Sequence, residues 1–197
     1  MVRQKTAGAH DGGEGYLTGQ LLVAMPAMRD PRFAQTVVFM CAHTAESAMG
    51  IVINRPLEGL SFESLLEQLS VGPTPPVRRI RMHAGGPVEP GKGFVLHTTD
   101  WVQEGSLRVD ERFALTSSID VLKAIARGEG PRRGILALGY AGWGPGQLDD
   151  EILQNAWLSV PADESFVFAD DLASMWRGAL SALKVDPLLL SGAAGRA

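Results

Sequence analysis

No apolar or periodic run in this 197-residue chain goes far before a glycine or a proline stops it. The breaks fall at Pro26, at Pro56, across Gly72, Pro73, Pro75 and Pro76, through the segment GGPVEPGKG at 85–93, at Gly128, and between Gly142 and Gly146. Proline removes a backbone donor and glycine loses the most entropy in a regular element, so breaks of this kind end strands and helices. Such a chain builds short elements only. Its apolar stretches fall far short of the about 18 residues that a membrane span needs, and with no internal repeat it is not a solenoid.

Between the breaks, two periodicities alternate. Leu21 to Met25, Thr36 to Cys41 and Gly50 to Asn54 are apolar or β-branched runs of strand length, the last two close enough to pair as a hairpin. Ser61 caps a helix with Phe62, Leu65, Leu66 and Leu69 at helical spacing. Arg79 to Ala84 and Gly93 to His97 read as two strands closing a hairpin about Pro90, and Leu107 to Leu115 adds one or two more. In that register Arg81, His83, Val95 and His97 share one face, because strand side chains alternate. Ser117 and Asp120 stand at capping-box spacing before a helix that ends at Gly128. Gly134 to Tyr140 is a strand, a glycine-rich turn leads into a helix from Gln147 to about Trp157, and Phe166 to Ala169 is a short strand. A last helix spans 170–184, with Leu172, Met175, Trp176, Ala179, Leu180 and Leu183 on one face. Strands grouped early, with helices interspersed later, predict a mixed-sheet α+β domain. The expected boundaries are a flexible segment at 1–15, one domain over 16–190 and a flexible tail at 191–197.

Composition enters where partners are concerned. Lys and Arg number 18 against 22 Asp and Glu, a net charge of -4, and no basic recognition helix is evident. Nucleic acid is therefore not expected as a direct partner, since its affinity comes from clustered cations. Cys41 is the single cysteine, so no disulfide and no CxxC pair can form. With no signal-peptide h-region in 1–15 and no membrane span, a cytoplasmic protein is expected.

The segments GQLLVAMPAMRDPRFAQTVVFMCAH, AMGIVINRP, GGPVEPGKGFVLH, LALGYAGWGPGQLDDEILQNAWLSVPAD and SMWRGALSALKVDP run in order from about Gly19 to Asp186. Together they resemble the AlgH/YqgE family of small bacterial proteins. The resemblance implies an α+β fold whose bifurcated, largely antiparallel sheet curls into a pseudo-barrel with helices packed outside. It carries no reaction, only a transcriptional-regulator label tied to alginate control. Cys41 and His43 fall on the family's Cys-Glu-His segment, with Ala42 in the central place. Asn54 falls on the Gly-Leu-Val-Ile-Asn motif and His97 on the end of Gly-Phe-Val-Leu-His. Trp143, Gly146, Gln147, Glu151, Asn155 and Trp157 follow the long glycine-tryptophan signature, and Arg196 stands where the family often has histidine.

Three constellations bear on chemistry. Cys41 and His43, two apart on one strand, would share a face and form a reactive thiol pair if a base-orienting group stood nearby; a buried core cysteine is the plainer reading. His83 and His97, opposite each other in the proposed hairpin, would share a metal with His43 or Cys41, but no HExxH or CxxC spacing supports it, and no metal is expected. The turn Gly139 to Gly146 is neither a Walker loop nor GxGxxG, and Asp149, Asp150 and Glu151 already complement the helix dipole against a phosphate. No cofactor is therefore expected. The preferred ligand pocket is one near Asn54, His97, Trp143 and Gln147, binding an unknown protein or small molecule in a non-enzymatic binding or regulatory protein. The alternative is an enzyme that uses this pocket or the Cys41 thiol.

Overall fold

The computed structural model describes residues 17–184; the expected segments at 1–15 and 191–197 lie outside it. Three strands come first: β1 (Gln20–Ala24), β2 (Val37–His43) and β3 (Ala48–Val52). They form an antiparallel meander, with the expected β2–β3 hairpin in place. Alternation sorts their side chains: Leu21 and Val23 join one core cluster, Leu22 and Ala24 another on the opposite face. Helix α1 (Phe62–Gln68) starts where Ser61 accepts a hydrogen bond from the Ser64 N–H, the expected cap.

The middle of the chain corrects the predicted hairpin. β4 (Arg81–Ala84) and β5 (Val88–Thr98) never pair; β8 (Gly134–Trp143) lies between them, parallel to β4 and antiparallel to β5. After Ala84 the chain crosses over β8 from one edge to the other. It does so at a backbone-on-backbone contact that only glycine permits: a Cβ on Gly86 would lie 2.1 Å from the Tyr140 carbonyl carbon. GGPVEPGKG is thus a strand crossing rather than a hairpin turn. The remaining strands β6 (Leu107–Arg108) and β7 (Phe113–Thr116) extend the sheet beyond β5.

At β8 the sheet forks. Residues Ile135 to Leu138 pair with β4, whereas Ala141 to Trp143 pair with β3 along the same edge. The full order is β6-β7-β5-β8-β3-β2-β1-β9, where β9 (Trp157–Pro161) closes the far side against β1. That last strand was not expected; the sequence placed a helix through Trp157. Although β3, β8 and β5 separate β2 from β7, the rings of Phe39 and Phe113 lie 4.8 Å apart. A flat sheet would hold them roughly 19 Å apart at its usual strand spacing. The sheet therefore curls into a half-barrel around its shared core, and the α+β architecture is the expected one.

Helices cover what the curl leaves open. α2 (Ile119–Ala126) packs with α1 over Val95 and Leu136. Its N-cap is Ser118, not Ser117, and that side chain accepts from Gln103 instead of capping. α4 (Glu164–Val167) replaces the strand expected near Phe166, because Asp163 caps a turn there. α5 (Leu172–Ala182), capped by Asp171, lays Met175, Trp176, Ala179 and Leu180 on the common core. No helix among the described residues is long and apolar enough to cross a membrane.

Candidate functional site

β8 ends at Trp143, and a glycine-proline turn passes directly into α3 (Gln147–Leu153). Gly146 at φ 67° sets the entry angle, and the Gln147 side-chain oxygen accepts from the Gly144 N–H, tying turn to helix. At the other end Asn155, at φ 55°, takes the left-handed conformation that asparagine tolerates, and the chain reverses into β9. This reversal brings Trp157 back over the helix. Trp143 before α3 and Trp157 after it then face one acceptor between them.

That acceptor is Glu151. Its Oε2 takes the Trp143 indole N–H at 2.9 Å and the Trp157 indole N–H at 2.8 Å, and its Oε1 takes the Gln147 amide at 2.9 Å. Three neutral donors thus fix a half-buried carboxylate, and among the described residues it forms no salt bridge. Asp149 and Asp150 occupy the first turn of α3, as the dipole favours.

Aromatic rings stand around this carboxylate. Trp143 and Trp157 meet edge to face at 6.0 Å, and Phe33, from the loop after β1, lies 6.4 Å from the first and 5.7 Å from the second. Arg32 stacks over Phe33 at 5.8 Å and is clamped by Asp30, Nη2 to Oδ2 at 2.7 Å; the guanidinium holds that carboxyl below its ordinary pKa. Arg55 donates to the carbonyls of Pro31, Arg32 and Ala34, which pins the loop in place. Phe33, Trp143, Trp157, Gln147, Glu151 and the Asp30–Arg32 pair line a cleft of about 440 Å³. A second hollow of about 460 Å³, with Tyr140, Glu89 and Lys92 on its wall, lies across Val88 and Trp143.

Of the four residues expected to share a pocket, Trp143 and Gln147 line this cleft and Asn54 and His97 do not. Asn54 accepts from the Val37 N–H and donates to the Gln35 carbonyl, both at 2.8 Å, so it clamps the entry to β2. His97 is fully buried, with Nδ1 2.9 Å from the Thr98 carbonyl and Nε2 2.8 Å from the Thr116 hydroxyl; burial lowers its pKa.

The remaining candidates separate. A β-bulge falls between Met40 and Ala42 and undoes the alternation that the shared face required. Cys41 packs in the common core with its thiol pushed up to about 12 by burial, whereas His43 reaches toward Asp149 of α3 at 3.7 Å on the other side. His83 and His97 are not opposite each other, because β8 lies between their strands and they flank it at Ala137 and Gly134. They also point to opposite faces, His83 with Phe94 and Ala137, His97 with Val95. Neither ring nitrogen of His83 makes a well-formed hydrogen bond among the described residues, the Ile53 backbone offering only a weak one. Among the described residues, no three His, Cys, Asp or Glu side chains converge as a metal site would require.

Sequence reasoning missed Glu151 as the hub, along with Phe33, Arg32 and Asp30. One signal was available. A buried indole needs an acceptor, and two tryptophans flank one short acidic helix.

Comparison with known proteins bears on the whole arrangement. A family model described as DUF179, AlgH-like, matches residues 21–188. A UPF0301 protein of Rhodospirillum rubrum is 58% identical over 184 residues, covering 93% of this chain and 96% of that protein. Another, from Cereibacter sphaeroides, is 50% identical over 182 residues and covers 92% and 99%. The solution structure of the AlgH protein from Pseudomonas aeruginosa aligns over 100% of both chains with a TM-score of 0.75 and 41% identity. A crystal structure from Corynebacterium diphtheriae, at 19% identity and a TM-score of 0.68 over 93% and 94% of the chains, shares the fold.

Proposed function

This chain belongs to the AlgH-like family, and on that premise we propose that it is a cytoplasmic binding protein of regulatory type, with the cleft at Glu151 as its ligand site. One observation carries the reading. The two glycine-rich segments meet at β8, and beside that meeting the long signature places Trp143, Trp157 and Gln147 on a single carboxylate. An aromatic, concave surface with a few fixed polar groups is what small-ligand sites are made of.

Catalysis finds less support. The thiol of Cys41 is buried and its pKa is raised to about 12, which works against a nucleophile. His97 spends both ring nitrogens on Thr98 and Thr116. The net charge of -4 speaks against direct DNA contact, so a regulatory role would run through a ligand or a protein partner.

The test is a mixture screen of small molecules and short peptides, read by the indole N–H resonances of Trp143 and Trp157, alongside a panel of ester, phosphate and peptide substrates. Saturable shifts confined to the cleft, with no turnover, are expected. Turnover that disappears in Glu151→Gln or Gln147→Ala would make the protein an enzyme instead.

A further inference from the structure

We propose that the Glu151 cleft takes an organic ammonium ion with an aliphatic stem, of the kind carried by simple alkylamines. The inference deepens the binding reading above and rests on it, adding the charge and shape of the ligand.

Charge complementarity comes first. Among the described residues, three charged side chains line the cleft: Asp30, Arg32 and Glu151. Asp30 and Arg32 neutralise each other through a bidentate contact, the Arg32 Nε reaching Oδ1 at 3.0 Å and Nη2 reaching Oδ2 at 2.7 Å. Glu151 is left as the uncompensated charge. Its partners, two indoles and an amide, are neutral, so they orient the carboxylate without cancelling it.

Valence adds direction. Oε2 already accepts two hydrogen bonds, the usual capacity of a carboxylate oxygen, whereas Oε1 accepts one and keeps a lone pair. An ammonium N–H can use that lone pair. A carboxylate or phosphate ligand would face Glu151 like charge to like charge.

The walls favour the same ligand. Aromatic faces carry negative potential and attract cations; with both indoles buried, the half-buried Phe33 ring is the one of the three that meets the cleft most openly. This wall already seats a cation, since the Arg32 guanidinium lies 5.8 Å from the centroid of Phe33. Met28, Val88 and Ala156 supply apolar surface for a stem, and about 440 Å³ accommodates one.

The experiment titrates the protein with butylammonium, 1-butanol and butyrate, three probes that share a four-carbon scale and differ in charge. The readout is the indole N–H signals of Trp143 and Trp157 together with tryptophan emission. Butylammonium is expected to shift both signals saturably and to bind at least about fivefold more tightly than butanol, a factor worth about 1 kcal/mol. Added salt should weaken it, and Glu151→Gln, which keeps an oxygen acceptor for the indoles, should lower its affinity by a similar factor at an unchanged far-UV spectrum. Equal or tighter binding of butanol or butyrate in the cleft overturns the inference while leaving a ligand site in place. No response to butylammonium also overturns it, whereas turnover in the substrate panel would overturn the binding reading itself. Should Glu151→Gln fail to fold, the wild-type panel alone decides.

Discussion

Gly85 and Gly139 meet backbone to backbone where the sheet forks: a Cβ on Gly85 would stand 2.3 Å from the Gly139 carbonyl oxygen. Gly85 also donates its N–H to the Leu138 carbonyl and accepts from the Val52 N–H, so one residue joins β8 to β3 at the crossing. The positive φ of Gly139, 73°, and of Gly86, 151°, add a conformational demand to the steric one.

Gly85→Ala should destabilise the protein by at least about 3 kcal/mol, since the obstacle is main chain and cannot rotate away. Gly91→Ala, whose new Cβ meets nothing within 4 Å, is the internal control and should stay within about 0.5 kcal/mol of wild type. Urea midpoints for the two variants compare them directly. Equal midpoints would remove the crossing from the account.

Removing the Glu151 carboxylate strands two indoles that are 5% and 2% exposed. Glu151→Ala should cost about 2–4 kcal/mol, one buried unsatisfied donor at each tryptophan. Glu151→Gln should cost much less because an acceptor remains. A Glu151→Ala protein as stable as wild type would mean that the indoles find other acceptors.

His83 is 1% exposed, and burial, aided by the Arg81 guanidinium and opposed by the Ile53 backbone, lowers its pKa to about 4. Its unfolded value is about 6.5, so between these two values the unfolded chain binds a proton that the native state refuses. Stability is therefore undiminished above pH 6.5 and falls as pH drops toward 4, by about 3 kcal/mol in all. His43 and His97 are shifted the same way, so the contribution is read as the difference between wild type and His83→Leu across pH 7.5 to 4.5 (roughly the window of histidine titration). A flat difference would show that His83 titrates normally.

With its thiol in the core, Cys41 should resist iodoacetamide in the native protein at pH 8 and react fully in urea. Labelling should track the unfolded fraction. Native labelling at the rate of a free thiol would reopen the thiol chemistry.

Much of the fold was legible because its signals are local. The Ser61 cap, the β2–β3 hairpin, the amphipathic α5 and the strand within β8 are written in runs of a few residues, by hydroxyl placement, β-branching and period. Failures cluster where a distant strand intervenes. The β4–β5 hairpin looked sound from spacing alone, yet β8, which begins only at Gly134, inserts between them and turns His83 and His97 to opposite faces. A single extra residue at Cys41 likewise parts it from His43.

The candidate site divides along the same line. Trp143 and Gln147 were found because they sit in one unusual run, and Asn54 and His97 were grouped with them because they fall on other motifs of the family resemblance. Phe33 and Arg32, more than a hundred positions away, join only through the curl of the sheet.

By itself, the sequence determined the short elements, the α+β class, the family resemblance and the residues available for chemistry, because caps, breaks and periodicity act between near neighbours. Tertiary structure alone decided which strand lies beside which, where the glycine pair crosses β8, and that Glu151 would hold two tryptophans facing Phe33. Those are long-range choices, fixed by the collective burial of side chains on a curled sheet, and no local spacing encodes them.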